Sequence, residues 1–353
     1  MNEREALRSV LIFGGAGFIG SNLAAHLLEH SNARVHVFDN LSRSGARHNL
    51  RWLEQQARGT GRLEITLGDV RDAAEVARAV RSATEIYHFA AQVAVTNSLN
   101  DPRHDFDVNL GGTFNILEAA RAKGRRPFLL YTSTNKVYGS LSGASGSGVS
   151  ENQPLDFHSP YGCSKGAADQ YVRDYARIYG IPTVVFRMSC IAGPRQFGNE
   201  DQGWVAHFLY SALEQTRLTI YGDGRQIRDV LHVDDLLRAF DRARANLATT
   251  AGNVYNIGGG AANAISLLDL IAAIERLTGR RVRYEHAPAR AADQSIYVTD
   301  FQKFAFHTGW RPGSSLSDIL NDIVAWRRDH SELFQAGPDT ALVRGLAEAP
   351  QAA

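Results

Sequence analysis

The chain has 353 residues, enough for one large α/β unit or two closely joined lobes around a full core. Its 38 Lys and Arg nearly cancel its 37 Asp and Glu, leaving a formal charge of +1. Nothing in that balance advertises a nucleic-acid or anionic-membrane face, so neither is expected as a partner. The two cysteines, Cys163 and Cys190, form no CxxC pair and match no zinc spacing; they read as reduced thiols, and no metal is expected.

The opening, MNEREALRSVLIFGGAGFIG, has charges of both signs before a short apolar run that breaks into glycines. It resembles neither a leader peptide nor a membrane span, so the cytoplasm is the expected compartment. Val10–Phe13 reads as the first strand. Gly14-Gly15-Ala16-Gly17-Phe18-Ile19-Gly20 then opens a helix predicted over Phe18–Glu29. In a dinucleotide-binding turn, Gly14 permits the tight bend, Gly17 the approach of a pyrophosphate, and Gly20 close helix–strand packing. The helix start offers free N–H groups and the positive dipole end to phosphate. Val35–Asp39 is the second predicted strand. Asp39 ends it about 20 residues on, where a carboxylate holds ribose hydroxyls and repels a 2′-phosphate, so NAD is expected over NADP. Arg43 reads as a solvated loop charge.

Leu63–Leu67 is the next predicted strand, with Asp69-Val70 after it. Asp69 suits either an adenine-edge contact or a helix cap before Arg71. A helix over Ala73–Arg81, a strand over Ile86–Ala90, a helix over Phe106–Arg121 and a strand over Phe128–Thr132 continue the alternation. Such alternation predicts an α/β fold, a Rossmann-type doubly wound parallel sheet. Thr132-Ser133-Thr134-Asn135-Lys136-Val137-Tyr138-Gly139 closes the fifth strand, at the edge where such folds place ligands. Ser140–Ser150 is a flexible Gly/Ser segment.

Tyr161 and Lys165 lie four apart after Pro160, which suits a helix start, so both side chains share one helical face. A lysine beside a phenol lowers its pKa toward a useful general base, and Thr134 can align a substrate hydroxyl with Tyr161. The expectation is an enzyme that moves a hydride on a small molecule. His158 and His232 read as a loop residue and a strand-end residue. After a strand at Val184–Met188 the pattern grows irregular. Strands are expected at Leu218–Tyr221, Val254–Ile257 and Val282–His286, with helices at Trp204–Glu214 and Leu267–Leu277. This predicts an NAD-binding domain over 1–190 and a smaller C-terminal substrate-binding lobe over 191–334, some segments of which return to the sheet. Residues 1–8 and 335–353 read as loose ends.

With these residues in this order, the chain resembles the extended short-chain dehydrogenase/reductases, the NAD-dependent nucleotide-sugar epimerases and dehydratases, over roughly Ser9 to Arg328. Longer blocks resemble one branch, the CDP-tyvelose (CDP-paratose 2-) epimerases: FAAQVAVTNS, STNKVYG, LDFHSPYGCSKGAADQY, GPRQFGNEDQGW, GDGRQIRDVLH and PARAADQ. The resemblance implies that Phe18, Ile19, Asp39, Asn40, Asp69, Val70, Ala90, Gln92 and Asn109 line NAD. It implies catalysis by Thr134, Tyr161 and Lys165, with Arg228, Arg290 and Asp293 holding a nucleotide diphosphate and Cys190 beside the sugar. Met188, Cys190 and Ala192 depart from the more polar or aromatic residues common there, and Ser140–Ser150 is shorter than its counterpart. The expected reaction is epimerisation at carbon 2 of a CDP-linked deoxyhexose, in a homodimer or homotetramer. A UDP-sugar 4-epimerase is the alternative. A 4,6-dehydratase fits less well, because Asn135 and Lys136 follow Thr134 where elimination needs an acid and a base. A dinucleotide-binding protein without catalysis is the remaining possibility.

Overall fold

The computed structural model describes residues 8–141, 148–290 and 293–334. The loose ends expected at 1–8 and 335–353 lie almost wholly outside these residues, as does most of the Gly/Ser segment. The first six strands are β1 (Ser9–Phe13), β2 (Arg34–Asp39), β3 (Leu63–Leu67), β4 (Glu85–His88), β5 (Phe128–Thr134) and β6 (Thr183–Met188). β7 (Cys190–Ala192), β8 (Arg217–Tyr221), β9 (Ile227–His232), β10 (Asn253–Ile257), β11 (Ala264–Ser266), β12 (Arg283–Ala287) and β13 (Ile296–Tyr297) follow. Six helices belong to the first part: α1 (Phe18–His30), α2 (Ala46–Gln56), α3 (Ala73–Val80), α4 (Val95–Asn100), α5 (Pro102–Phe106) and α6 (Gly112–Arg121). Then come α7 (Ser159–Tyr179), α8 (Trp204–Glu214), α9 (Val233–Ala245), α10 (Leu247–Thr250), α11 (Leu267–Thr278), α12 (Gln302–Thr308) and α13 (Leu316–Asp329).

Seven strands form one parallel sheet in the order β10-β6-β5-β4-β1-β2-β3. The apolar runs are continuous because the sheet is covered on both faces. Along β1, Val10 and Ile12 enter the core that holds Leu23, Leu27 and Phe240. Leu11 and Phe13 enter the opposite core, with Ile86, Leu117 and Val172. A fully buried side chain of this size contributes about 1.5–3 kcal/mol. The chain runs one way from β1 to β2 and β3 and the other way from β4 onward. A crevice therefore opens beyond the carboxyl ends of β1 and β4.

Beyond Met188, β9 pairs with β7, β11 and β13, and β8 pairs with β12. α8, α11 and α13 cover these strands around a separate core that includes Leu209, Ile220, Ile274 and Ile323. β10 returns to the edge of the main sheet beside β6. One predicted helix is broken. Over 106–121, α5 ends at Phe106 and a π-helical turn over Asp107–Gly111 precedes α6. Gly112, just after that turn, packs closely on β3's exit: a Cβ there would lie 2.6 Å from the Val70 side chain. No helix among the described residues is long and apolar enough to cross a membrane.

Candidate active site

A cleft of about 840 Å³ follows the crevice from Asp69 past the glycine loop to Tyr161 and Trp204. The loop is built by contact as well as by conformation. Gly14 has φ +77° and donates its N–H to Phe38 O at 2.8 Å; a Cβ there would sit 2.6 Å from Ala90 N. A Cβ on Gly20 would strike the Gly14 carbonyl and lie 2.6 Å from Gly15 Cα. Gly17 differs: its missing Cβ would meet only Gly14 O, at 3.2 Å, which leaves its cleft side open. Gly17 is the N-cap of α1 and makes no side-chain cap bond, so the first N–H groups of the helix are left for a ligand. An elongated cleft with this cradle in its wall fits a dinucleotide.

At the far end Asp39 accepts from Ala16 N at 3.0 Å and Leu41 N at 2.8 Å. Burial raises its pKa, and these backbone N–H groups partly offset the rise. A carboxylate has roughly four lone-pair sites, so capacity remains for a ribose hydroxyl. Asp69 accepts Arg71 Nε and Nη2 at 2.9 and 2.8 Å, and Asn40 Nδ2 at 3.0 Å. The Arg71 contact holds its carboxyl well below the usual range. Asp69 does not cap a helix: Asp72 caps α3, accepting from Ala74 N and Glu75 N at 2.9 Å. Phe18, Ile19, Val70, Ala90 and Gln92 also line the cleft. Asn109 does not; its Oδ1 accepts Gln92 N at 2.9 Å and its Nδ2 donates to Gln92 O at 3.0 Å. It fixes the Gln92 backbone from behind. Arg43 is no solvated loop charge, since it lines the cleft and hydrogen-bonds Gln202 across it.

α7 carries Tyr161 and Lys165 with Pro160 in its first turn, entered through Ser159 at φ +64°. Thr134 ends β5 opposite them, and all three line the cleft. The electrostatics differ from the simple expectation for a Tyr–Lys pair. Burial pushes the Tyr161 phenol up to about 12, and the Thr134 hydroxyl and Arg43 pull it back only in part. Lys165 instead donates to Thr132 O at 2.7 Å and lies 4.2 Å from the centre of the Tyr131 ring. Burial brings the Lys165 ammonium down to about 7, against the opposing pull of Asp105 and Asp169. Thr134 is thus the larger, and Arg43 the smaller, of the two influences that make the phenol more acidic.

Cys190 lines the same cleft and accepts a hydrogen bond from Trp204 Nε1 at 3.2 Å. Arg228, Asp293 and Arg290 do not line it. Arg228 Nη2 and Lys136 Nζ both donate to Asp293 Oδ1, at 2.8 and 3.0 Å. Burial would raise the Asp293 pKa, but the two cations together hold it below its usual value. Arg290 lies 3.9 Å from the centre of the Tyr221 ring and donates to Glu200 O at 3.2 Å. Sequence reasoning missed Trp204 and Arg195, which also line the cleft. Their only signal is their place in the GPRQFGNEDQGW block.

The family described as GDP-mannose 4,6 dehydratase matches residues 11–323. CDP-paratose 2-epimerase of Salmonella typhi is 42% identical over 337 residues, spanning 90% of this chain and 98% of the relative. Among solved structures, UDP-glucuronic acid 4-epimerase from Bacillus cereus, in complex with UDP-glucuronic acid and NAD, superposes with a TM-score of 0.82. It is 28% identical, and the match covers 91% of this chain and 99% of that one. The dTDP-glucose 4,6-dehydratase DesIV from Streptomyces venezuelae, with NAD bound, gives a TM-score of 0.82 at 30% identity, covering 92% and 98%.

Proposed function

Since the chain belongs to the GDP-mannose 4,6-dehydratase family of NAD-dependent epimerases and dehydratases, we propose that it inverts carbon 2 of a CDP-linked deoxyhexose. Its cofactor is NAD, and the glycine cradle, Asp39 and the elongated cleft suit that molecule. When bound, NAD supplies a reversible two-electron acceptor, so a carbinol can become a planar ketone and be reduced again from the other face. A sugar carbon with no adjacent carbonyl has no acidic hydrogen, which makes direct deprotonation a poor route.

In this reading Tyr161 takes the hydroxyl proton on oxidation and returns it on reduction. Thr134 orients the same hydroxyl and acidifies the phenol. Lys165, fixed by Thr132 O, presents its ammonium to the cofactor's ribose. Arg228, Arg290 and Asp293 lie outside this cleft, and we assign the nucleotide diphosphate to their side of it, with Cys190 and Trp204 forming the wall beside the sugar. The observation that carries an epimerase over a dehydratase is the fate of the two residues after Thr134. Asn135 offers no acid, and Lys136 is engaged with Asp293 at 3.0 Å. The relative with 42% identity favours a CDP-sugar, while the fold match to a UDP-glucuronic acid 4-epimerase keeps a UDP-sugar 4-epimerase as the second reading.

We further place the enzyme in the cytoplasm as a homodimer joined through α6 and α7. Their outer face exposes Phe114, Tyr171 and Ile178, the last at 66%, and paired copies would cover it. Incubation with CDP- and UDP-deoxyhexoses, followed by NMR of the products, tests the reaction. A carbon-2 epimer from the CDP-sugar is expected. A 4-keto-6-deoxy product, or turnover of the UDP-sugar alone, overturns the assignment.

A further inference from the structure

Most charged side chains of the cleft already have partners. Arg71 is paired with Asp69, and Arg43 is bonded to Gln202. Arg195 stands out by its setting: its side-chain partner is the neutral amide of Asn22, and no anion pairs with it among the described residues. It follows Pro194 just beyond β7, and its backbone φ of +69° is a conformation that a side-chain-bearing residue rarely adopts. Such strain persists only where the surroundings impose it, and it clusters at ligand sites.

The surroundings are on the page. Arg195 Nε and Nη2 both donate to Asn22 Oδ1, at 3.0 and 2.5 Å, one turn into α1, and the guanidinium lies 4.3 Å from the centre of the Trp52 ring on α2. Asn22 Nδ2 in turn donates to Phe18 O at 2.8 Å and Pro194 O at 3.2 Å, and Asn49 Nδ2 donates to Arg195 O at 3.3 Å. Residues of the dinucleotide-binding part therefore hold a second-lobe arginine against the helix that the glycine loop opens. Among the described residues no carboxylate pairs with it. Burial lowers its pKa, and only Asp234, at a distance, pulls the other way. A desolvated guanidinium without an anion is costly, and the Trp52 face offsets only part of that cost.

We propose that Arg195 is a diphosphate-binding residue of the dinucleotide cleft, supplied by the second lobe to clamp the cofactor's pyrophosphate against the glycine loop. The Gly17 cradle and the uncapped start of α1 attract the same group, and the N–H groups that Asn22 leaves free, two on Nη1 and one on Nη2, suit two phosphate oxygens. The inference rests on the cleft being the NAD site and not on which sugar is inverted, so the two can fail separately.

The test is cofactor content and binding, not turnover. Purified Arg195→Gln is denatured and its NAD per chain measured. The affinities of the stripped protein for NAD, ADP and adenosine are then titrated. The expected result is reduced NAD content and about tenfold to a hundredfold weaker binding of NAD and ADP, the effect of one charge-assisted contact. Adenosine, which lacks the diphosphate, should bind within about twofold of the parent. NAD and ADP affinities equal to the parent's would overturn the proposal, as would an equal loss for adenosine, which marks a purely structural role. Should the glutamine variant not fold, Arg195→Lys decides: weaker ADP with unchanged adenosine supports a guanidinium fork, and unchanged ADP rejects it.

Discussion

Tyr161 stands in a less helpful setting than its spacing from Lys165 suggests. Burial pushes its phenol up to about 12, and the hydroxyl of Thr134 is the strongest influence the other way. Tyr161→Phe is expected to keep the fold and its NAD while turnover drops about a hundredfold or more; steady-state assays with cofactor content measured alongside check this. Thr134→Val removes the larger of the two influences that lower the phenol's pKa, the other being Arg43. The phenolate then forms only at higher pH, so the rising limb of the kcat profile should move to the alkaline side. A limb that stays in place would leave Thr134 no part in tuning the phenol. The pair itself was legible as YxxxK after a proline. Its electrostatics were not, because Lys165 is held by Thr132 O and the Tyr131 ring, both on a strand some 30 residues earlier.

Elements show the same division between local and distant information. The glycine loop was readable because its spacing sits between a strand and a helix, although the atoms that crowd Gly14 belong to Ala90, far along the chain. Gly20→Ala should lower the NAD content of purified protein and destabilise it by about 1–3 kcal/mol, as read from urea midpoints, because the added methyl strikes the Gly14 carbonyl. Helix starts were less secure. Local sequence left Asp69 between a ligand contact and a cap, and the structure gives the cap to Asp72. Asp72→Ala should therefore cost about 1 kcal/mol of stability with unchanged NAD affinity. The π-helical turn before α6 was hidden, since a continuous helical pattern runs across 106–121. Arg43 was misread because Gln202, its partner, comes from the other side of the cleft.

At the scale of the whole molecule, alternating strands and helices announced the parallel sheet, although it too joins distant strands, as where β1 pairs with β4. The second lobe was legible only as irregularity. Its strands pair across long separations, as β13 does with β9, and β10 crosses back to the main sheet. The proposed dimer is tested by sedimentation: Phe114→Asp with Ile178→Asp should yield monomers, since a charge on each exposed apolar position opposes burial. On the epimerase reading one carbon is oxidised and then re-reduced by the same bound cofactor. The most direct test of this is the CDP-deoxyhexose deuterated at carbon 2, turned over in ordinary water, with the unlabelled substrate run in heavy water. The account predicts that the label stays on carbon 2 of the epimer, that no solvent deuterium enters, and that no added NAD is needed. Deuterium from heavy water at carbon 2, or loss of the label, would contradict it.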